Sequence, residues 1–160
     1  LKPTKCKPPK GLEFYTHVGE LDLVIAKAMD LFEDFVLVNA ANEHMAHGGG
    51  VAKAIADFCG PKFVEYCDAY VKKHGKQQQL LAPSGIANIH AVNNVVGPRQ
   101  GQNDLFDKLV EAYERVLVPN AVNYALPILS VGIFGVDYKQ SIDAMRKAFE
   151  GKNVRVLLFT

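Results

Sequence analysis

The sequence predicts a single α/β domain with a largely parallel sheet and helices on both faces. Three observations predict it. Short apolar runs alternate with amphipathic stretches of about a dozen residues, the signature of strand–helix–strand units. Phe35 to Val38 is apolar without interruption, as a strand covered on both faces must be. The chain has 160 residues, 49% hydrophobic and 22% charged. That is an ordinary globular composition, and a chain of this size buries roughly 70% of its unfolded surface in one core.

Leu12 to His17 alternates weakly and reads as the first strand. Leu21 to Phe32 places Leu21, Val24, Ile25, Ala28, Met29 and Phe32 at helical spacing, giving one apolar face. Glu20 and Asp22 sit at its start, where carboxylates meet the helix dipole favourably. The strand Phe35–Val38 leads through a polar stretch into a helix predicted from Val51 to Phe58. Gly60-Pro61 then separates it from a helix over Phe63–Lys73. Leu80–Ala82 and Ile89–Val96 read as strands, the second closed by Gly97-Pro98. A helix is expected over Asp104–Leu117, started by Asn103 and stopped by Pro119. Ala125–Leu129 is a strand, Lys139–Phe149 a helix ended by Gly151, and Val154–Phe159 the last strand.

Several function classes are disfavoured. A net charge of +1 gives no general attraction to nucleic acid or membrane. No apolar run nears the ~18 residues needed to span a bilayer. Cys6, Cys59 and Cys67 are odd in number and form no CxxC pair, so they read as reduced thiols rather than a disulfide frame or zinc site. No metal or cofactor is expected. Residues 1–11, with Lys2, Lys5, Lys7 and Lys10 among three prolines, read as a linker, and residues 12–160 as the domain. The chain does not begin with Met, which suggests a piece of a larger polypeptide.

Two glycine-rich loops follow strands, where ligands of such sheets bind. Asn42-Glu-His-Met-Ala-His47-Gly48-Gly49-Gly50 runs straight into a helix, and bare amides at a helix N-terminus attract anions. Gly132 and Gly135 lie in the loop after Ala125–Leu129. GxxxxGK[ST] is absent, and Lys53 comes too early after the glycines to reach a terminal phosphate; GxGxxG fails because Lys53 stands where its third glycine would be. Phosphoryl and hydride transfer are therefore unsupported. The pair of loops suggests a ligand with two phosphates, or a phosphate and a sugar, gripped from both sides; the bland alternative is two tight turns with buried glycines. Asn39 is expected to pin structure and Asn42 to face a ribose. His47 either donates to a ligand hydroxyl or pins the loop, and both readings stand. No Ser-His-Asp order, HExxH or carboxylate pair is present.

VNAAN at 38–42, HGGG at 47–50, VVGP at 95–98 and GIFG at 132–135, in that order, resemble the macrodomain family. The likeness is to the X domain of coronavirus replicase polyproteins of the avian infectious bronchitis type, and it covers about Leu12 to Thr160. The resemblance implies a three-layer α/β/α macrodomain with a mixed, mostly parallel sheet that binds ADP-ribose. It further implies removal of mono-ADP-ribose from host proteins and slow hydrolysis of ADP-ribose-1″-phosphate. By position it implies Asn42, His47 and Gly48 at the distal ribose and the chemistry. Asn39, Ala40, Gly48, Gly49, Gly50 and Val51 would line one side of the ligand. Ser130, Val131, Gly132, Ile133 and Phe134 would line the other side. Glu20, Leu21, Pro127 and Phe159 would lie near the adenosine. It also implies a setting in the host cytoplasm, within a membrane-associated viral nonstructural protein that this domain itself does not anchor.

Three departures from the family pattern point to weaker binding. Glu20 stands where an aspartate is usual, Val131 where a small residue is usual, and the chain ends without the closing helix of relatives. The competing readings are a non-catalytic module whose ADP-ribose binding is weak or lost, and a module binding nucleotide or single-stranded RNA in a replicase scaffold. The scattered lysines and the 9% aromatic content, with no Trp, favour the small ligand over RNA.

Overall fold

The computed structural model describes residues 7–160; Lys2, Lys5 and Cys6 of the lysine-proline lead lie outside the described residues. The elements in chain order are β1 (Glu13–His17), α1 (Leu21–Leu31), β2 (Phe35–Ala41), α2 (Gly50–Cys59), α3 (Pro61–His74) and β3 (Gln79–Ala82). They continue with β4 (Ile89–Val96), α4 (Leu105–Val116), β5 (Asn123–Pro127), α5 (Tyr138–Phe149) and β6 (Arg155–Phe159). The strands form one sheet in the order β1-β6-β5-β2-β4-β3. All pairings are parallel except β3 with β4.

The strand period of two splits the sheet's side chains between two cores. Leu37, Val92, Ala125 and Leu157 face α1, α2 and α3, joining Val24, Ile25, Ile55, Phe63 and Cys67. Val36, Val38, Val95, Leu126 and Val156 face α4 and α5, joining Leu109, Tyr113, Met145 and Phe149. This is the three-layer α/β/α arrangement. Phe35 through Asn39 is buried without a break, which is why β2 reads as a continuous apolar run rather than an alternating one.

Two sequence expectations at α4 need correction. Asn103 does not start the helix: the residue before it is Asp104, left-handed at φ 55°, with no side-chain cap. The helix also ends at Val116, because Leu117 is already extended, so Pro119 lies beyond the stop rather than making it. The strand expected over Ala125–Leu129 is displaced toward its start, at Asn123–Pro127, since Ile128 onward leaves the ladder to build a turn. Residues 7–11 run beside β6: Pro9 is buried, and Arg155 Nη1 donates to the Lys7 carbonyl at 2.8 Å and to Asn123 Oδ1 at 3.2 Å.

Candidate functional site

His17, Ala41, Val96, Pro127 and Phe159, the carboxyl-terminal residues of the five parallel strands, lie at one edge of the sheet. β2 and β5 pair only at Val36–Tyr124 and Leu37–Ala125, although both strands run on. Beyond that point they part, and the loops that follow them form the two walls of a crevice. Such a parting between neighbouring strands is where open α/β sheets take ligands.

The first wall is built by asparagines used in two ways. Asn39 is fully buried; its Nδ2 donates to Asn94 Oδ1 at 2.9 Å, and Asn94 Nδ2 donates to the Leu80 carbonyl at 2.9 Å. This chain of side-chain bonds ties β2 to β4 and β3 and leaves Asn39 Oδ1 buried without a partner. Asn42 clasps its own loop: Oδ1 accepts from His44 N and Ala46 N, both at 3.1 Å, and Nδ2 donates to the Ala46 carbonyl at 3.2 Å. Asn42 is thus half-buried and structural, a latch for its own loop. Met45, left-handed at φ 54° and fully buried, plugs the loop into the core beneath.

His47 turns toward α3, its ring 5.2 Å from that of Phe63. Burial holds its pKa below the usual imidazole value, partly opposed by the carboxylate of Asp68. Its Nε2 is buried without a partner. A neutral imidazole packed at a tilt against a core ring fits the loop-pinning reading of this residue.

Gly48, Gly49 and Gly50 are exposed, and a Cβ placed on any of them would meet nothing within 4 Å. They are not the buried glycines of a tight turn. Only Gly50, at φ 59°, needs glycine for its backbone. The first helical bond of α2 runs from Lys53 N to the Gly49 carbonyl at 3.2 Å, so the amides ahead of it have no helical acceptor. The other two glycines leave open space beside those donors, at the positive end of a ten-residue helix.

The second wall is anchored from below. Tyr113 Oη of α4 accepts from Leu129 N at 2.8 Å, Ser141 Oγ of α5 donates to the Leu129 carbonyl at 2.7 Å, and the two hydroxyls are 2.7 Å apart. Leu129 is therefore held at both its backbone groups by the α4–α5 layer. Ser130 follows in a left-handed conformation, φ 68°, with Oγ buried and unpartnered. Gly97 lies against it so closely that a Cβ at position 97 would collide with Ser130 Oγ. Gln100 N donates to the Phe134 carbonyl at 2.8 Å, and the Arg99 guanidinium stacks 4.4 Å above the Phe134 ring. Ile133, at the tip, is 98% exposed.

The remaining expected residues surround the β1–β6–β5 end. Pro127, Phe159 and His17 are register partners in adjacent strands. Phe159 is a core residue, 3% exposed, and Glu20 is exposed at the start of α1, where its side chain makes no capping bond. Leu21 and Val131 are half-buried. Ala40 is half-buried on β2 between Asn39 and Ala41. Among the described residues no group of three His, Cys, Asp or Glu is placed to hold a metal. What the walls offer is backbone N–H donors, uncharged amides and apolar flanks, a set suited to an uncharged sugar joined to an anion.

Sequence reasoning missed Gly97, Met45 and the Tyr113–Ser141 pair. Gly97 was visible as a strand stop and as part of VVGP, but not its packing on Ser130, which is what requires glycine there. Tyr113 and Ser141 carry no local signal, because their partner Leu129 is distant in sequence from each.

A family model described as Macro domain matches residues 38–145. The chain is 65% identical, over its whole length, to part of replicase polyprotein 1a of avian infectious bronchitis virus (strain Beaudette), spanning about 4% of that polyprotein. Among solved structures, the IBV X-domain crystallised at pH 8.5 superposes with a TM-score of 0.92 and 66% identity, covering 95% of this chain and 92% of that one. The Oceanobacillus iheyensis macrodomain with ADP superposes with a TM-score of 0.72 over 91% of this chain and 83% of that one, at 20% identity, a likeness of fold.

Proposed function

This chain belongs to the macro domain family, and from that membership we propose that its crevice binds ADP-ribose and that the domain removes mono-ADP-ribose from proteins. The observation that carries the reading is the exposed Gly48–Gly50 backbone. Its glycines leave open space next to unpaired amides of α2, opposite the Ser130–Phe134 loop. In this reading the diphosphate lies between the loops, accepting from those amides. Ala40 and Asn42 line the β2 side, with Asn39 pinned to Asn94 beneath them rather than in the crevice, and Asn42 presents its remaining Nδ2 hydrogen to the distal ribose. Gly48, Gly49, Gly50 and Val51 meet the diphosphate from below, and Ser130, Val131, Gly132, Ile133 and Phe134 cover it. Glu20, Leu21, Pro127 and Phe159 frame the adenosine. The relative from Oceanobacillus iheyensis was solved with ADP, which agrees with a diphosphate ligand.

The chemistry proposed is positional. His47 is held neutral against Phe63, so the ligand's own phosphate takes a proton from the water that attacks the anomeric carbon; the bond from that carbon to the protein side chain breaks, and the side chain leaves with the bonding electrons and takes up a proton. Asn42 and the Gly48 backbone hold the distal ribose in line with that water, and the amides stabilise charge that develops nearby. Slow hydrolysis of ADP-ribose-1″-phosphate, which the family resemblance implies, belongs to the same proposal. The setting proposed is a viral replicase polyprotein acting on modified host proteins in the host cytoplasm. No described helix is long and apolar enough to cross a membrane.

Calorimetry with ADP-ribose, AMP, ADP and a short oligo-A tests the reading, beside the variant Gly48→Val. Gly48 has no left-handed φ and its Cβ meets nothing, so the variant should fold with wild-type stability while setting an isopropyl group beside the amides proposed to hold the diphosphate. Expected is saturable ADP-ribose binding, weaker AMP binding, and loss of both in Gly48→Val. Salt-sensitive oligo-A binding without ADP-ribose binding would overturn it in favour of a nucleic-acid module.

A further inference from the structure

A cavity of about 500 Å³ opens at the carboxyl end of β4, outside the crevice but sharing its walls. Phe134 belongs to both, and Glu43 is the residue after Asn42. Its far wall is one face of α4, where Lys108, Glu111 and Arg115 fall at helical spacing. Resting on the ADP-ribose reading above, we propose that this cavity is an acceptor subsite: it receives a short acidic peptide segment flanking the modified residue.

Position comes first. Asn42 marks the end of the crevice assigned to the distal ribose, the sugar that carries the link to protein, and Phe134, last residue of the loop that covers the diphosphate, lines the cavity beside it. Whatever is attached to that sugar leaves past Glu43 and Phe134, and the cavity begins there. Its volume lies in the range that encloses a ligand of a few residues' size, roughly 300–1,000 Å³.

Charge comes second. Three cations, Arg99, Lys108 and Arg115, line the cavity against two carboxylates, Glu43 and Glu111. Glu43 is already approached by Lys76, at 3.9 Å. Among the described residues no ion pair joins Glu111 to Lys108 or to Arg115, although helical spacing would allow it. Arg115 Nε is buried without a partner, and its Nη2 reaches only the Val96 carbonyl, at 3.4 Å. Arg99 spends its guanidinium face on the Phe134 ring and keeps its edge donors. The cavity thus holds unused cationic donors in a half-enclosed place, where a carboxylate gains more than on open surface.

The rest of the lining separates a peptide from a second phosphate-bearing unit. Gln78 and Gln102 offer amides that match a peptide backbone, and Val96 and Pro98 offer apolar contact. A diphosphate would set its dense charge against Glu111 and Glu43. A peptide can place one carboxylate at Arg115 or Lys108 and keep uncharged atoms beside the glutamates.

The test measures affinity by fluorescence polarisation for peptides carrying ADP-ribose through a hydrolysis-resistant link, with flanks of Asp/Glu, of Ala or of Lys. Free ADP-ribose and a two-unit ADP-ribose chain are measured in parallel, on wild type and Lys108→Glu. The inference expects acidic flanks to tighten binding about fivefold or more over Ala flanks, an advantage that shrinks with added salt. Lys108→Glu should erase that preference while leaving free ADP-ribose affinity unchanged. Equal affinity for all flanks, with free ADP-ribose still bound, overturns the subsite and leaves the crevice reading intact. Absence of free ADP-ribose binding overturns the crevice reading, and the subsite with it. A Lys108-dependent gain for the two-unit chain alone overturns the peptide in favour of a second diphosphate.

Discussion

Gly97→Ala is the substitution whose consequence the structure specifies most closely. The added Cβ meets Ser130 Oγ at a distance no pair of atoms sustains, and Leu129 Cβ at an ordinary 3.7 Å. The Ser130 backbone cannot retreat, being left-handed and held through Leu129 by Tyr113 and Ser141, so relief has to come from turning the buried hydroxyl about χ1 into packed surroundings, with Ser130 Cβ already at 3.4 Å. Overpacking of this kind costs roughly 1–3 kcal/mol. For a domain of this size that lowers Tm by roughly 2–12 °C. Ser130→Gly removes the colliding hydroxyl and its left-handed penalty of about 1–2 kcal/mol, offset by about 0.5–1 kcal/mol of glycine entropy. Alone it should be neutral or mildly stabilising. The double variant should then recover most of what Gly97→Ala loses, giving a coupling energy well above the ~0.5 kcal/mol scatter of independent sites. Urea denaturation of the four proteins measures it. A Gly97→Ala protein as stable as wild type, or additivity in the double variant, would refute the claim that Gly97 exists to seat Ser130.

Three further outcomes follow from buried groups. Tyr113→Phe leaves the Leu129 N–H buried without an acceptor and should cost about 1–3 kcal/mol by urea denaturation, with weaker ADP-ribose binding by calorimetry because the second wall loses its anchor. Burial pushes the Cys67 thiol up to about 12 and the Cys59 thiol up to about 11, so both stay protonated at neutral pH. Peptide mapping after iodoacetamide at pH 7.5 should find Cys67 unlabelled until denaturant is added. His47 has a folded pKa below its ordinary 6.5, so the unfolded chain binds the proton more tightly. The stability this gives is complete above about pH 6.5 and is lost as pH falls through 6.5 toward the folded value. His47→Phe should flatten that part of the stability–pH curve, and an unchanged slope counts against burial of a neutral ring.

The sequence was legible where a residue's role is set by its neighbours in the chain. The period of β2, the glycine triplet ahead of α2 and the Gly60-Pro61 break all follow from local geometry, and the structure holds them within a residue or two. Asn39 was read as the pinning asparagine, and it is: the pin is Asn94, directly beside it in the β2–β4 register. What was not legible depends on contacts across the sheet. Asn103 looks like a helix cap, yet the turn after Gly97-Pro98 sets Asp104 in that place. Asn42 looked free for a ligand because nothing in the sequence shows that its own loop folds back onto it.

The two walls of the crevice are secured to opposite cores, and this decides how substitutions act on the site. Met45 drops from the first loop into the core under α1, α2 and α3. Leu129 ties the second loop to the core under α4 and α5. Phe134 crosses this division, packing against the first core while Arg99 covers its ring from the β4 side. A core substitution under one wall therefore changes the width of the crevice as well as stability, because the opposite wall has no reason to follow. The Gly97–Ser130 contact sits on the side of the second wall nearest β4, which also borders the Arg99–Arg115 cavity. A shift of Ser130 in Gly97→Ala should accordingly alter ADP-ribose affinity and the preference for acidic flanks together. Lys108→Glu, which shares α4 with Tyr113 but makes none of the bonds to Leu129, should alter only the second.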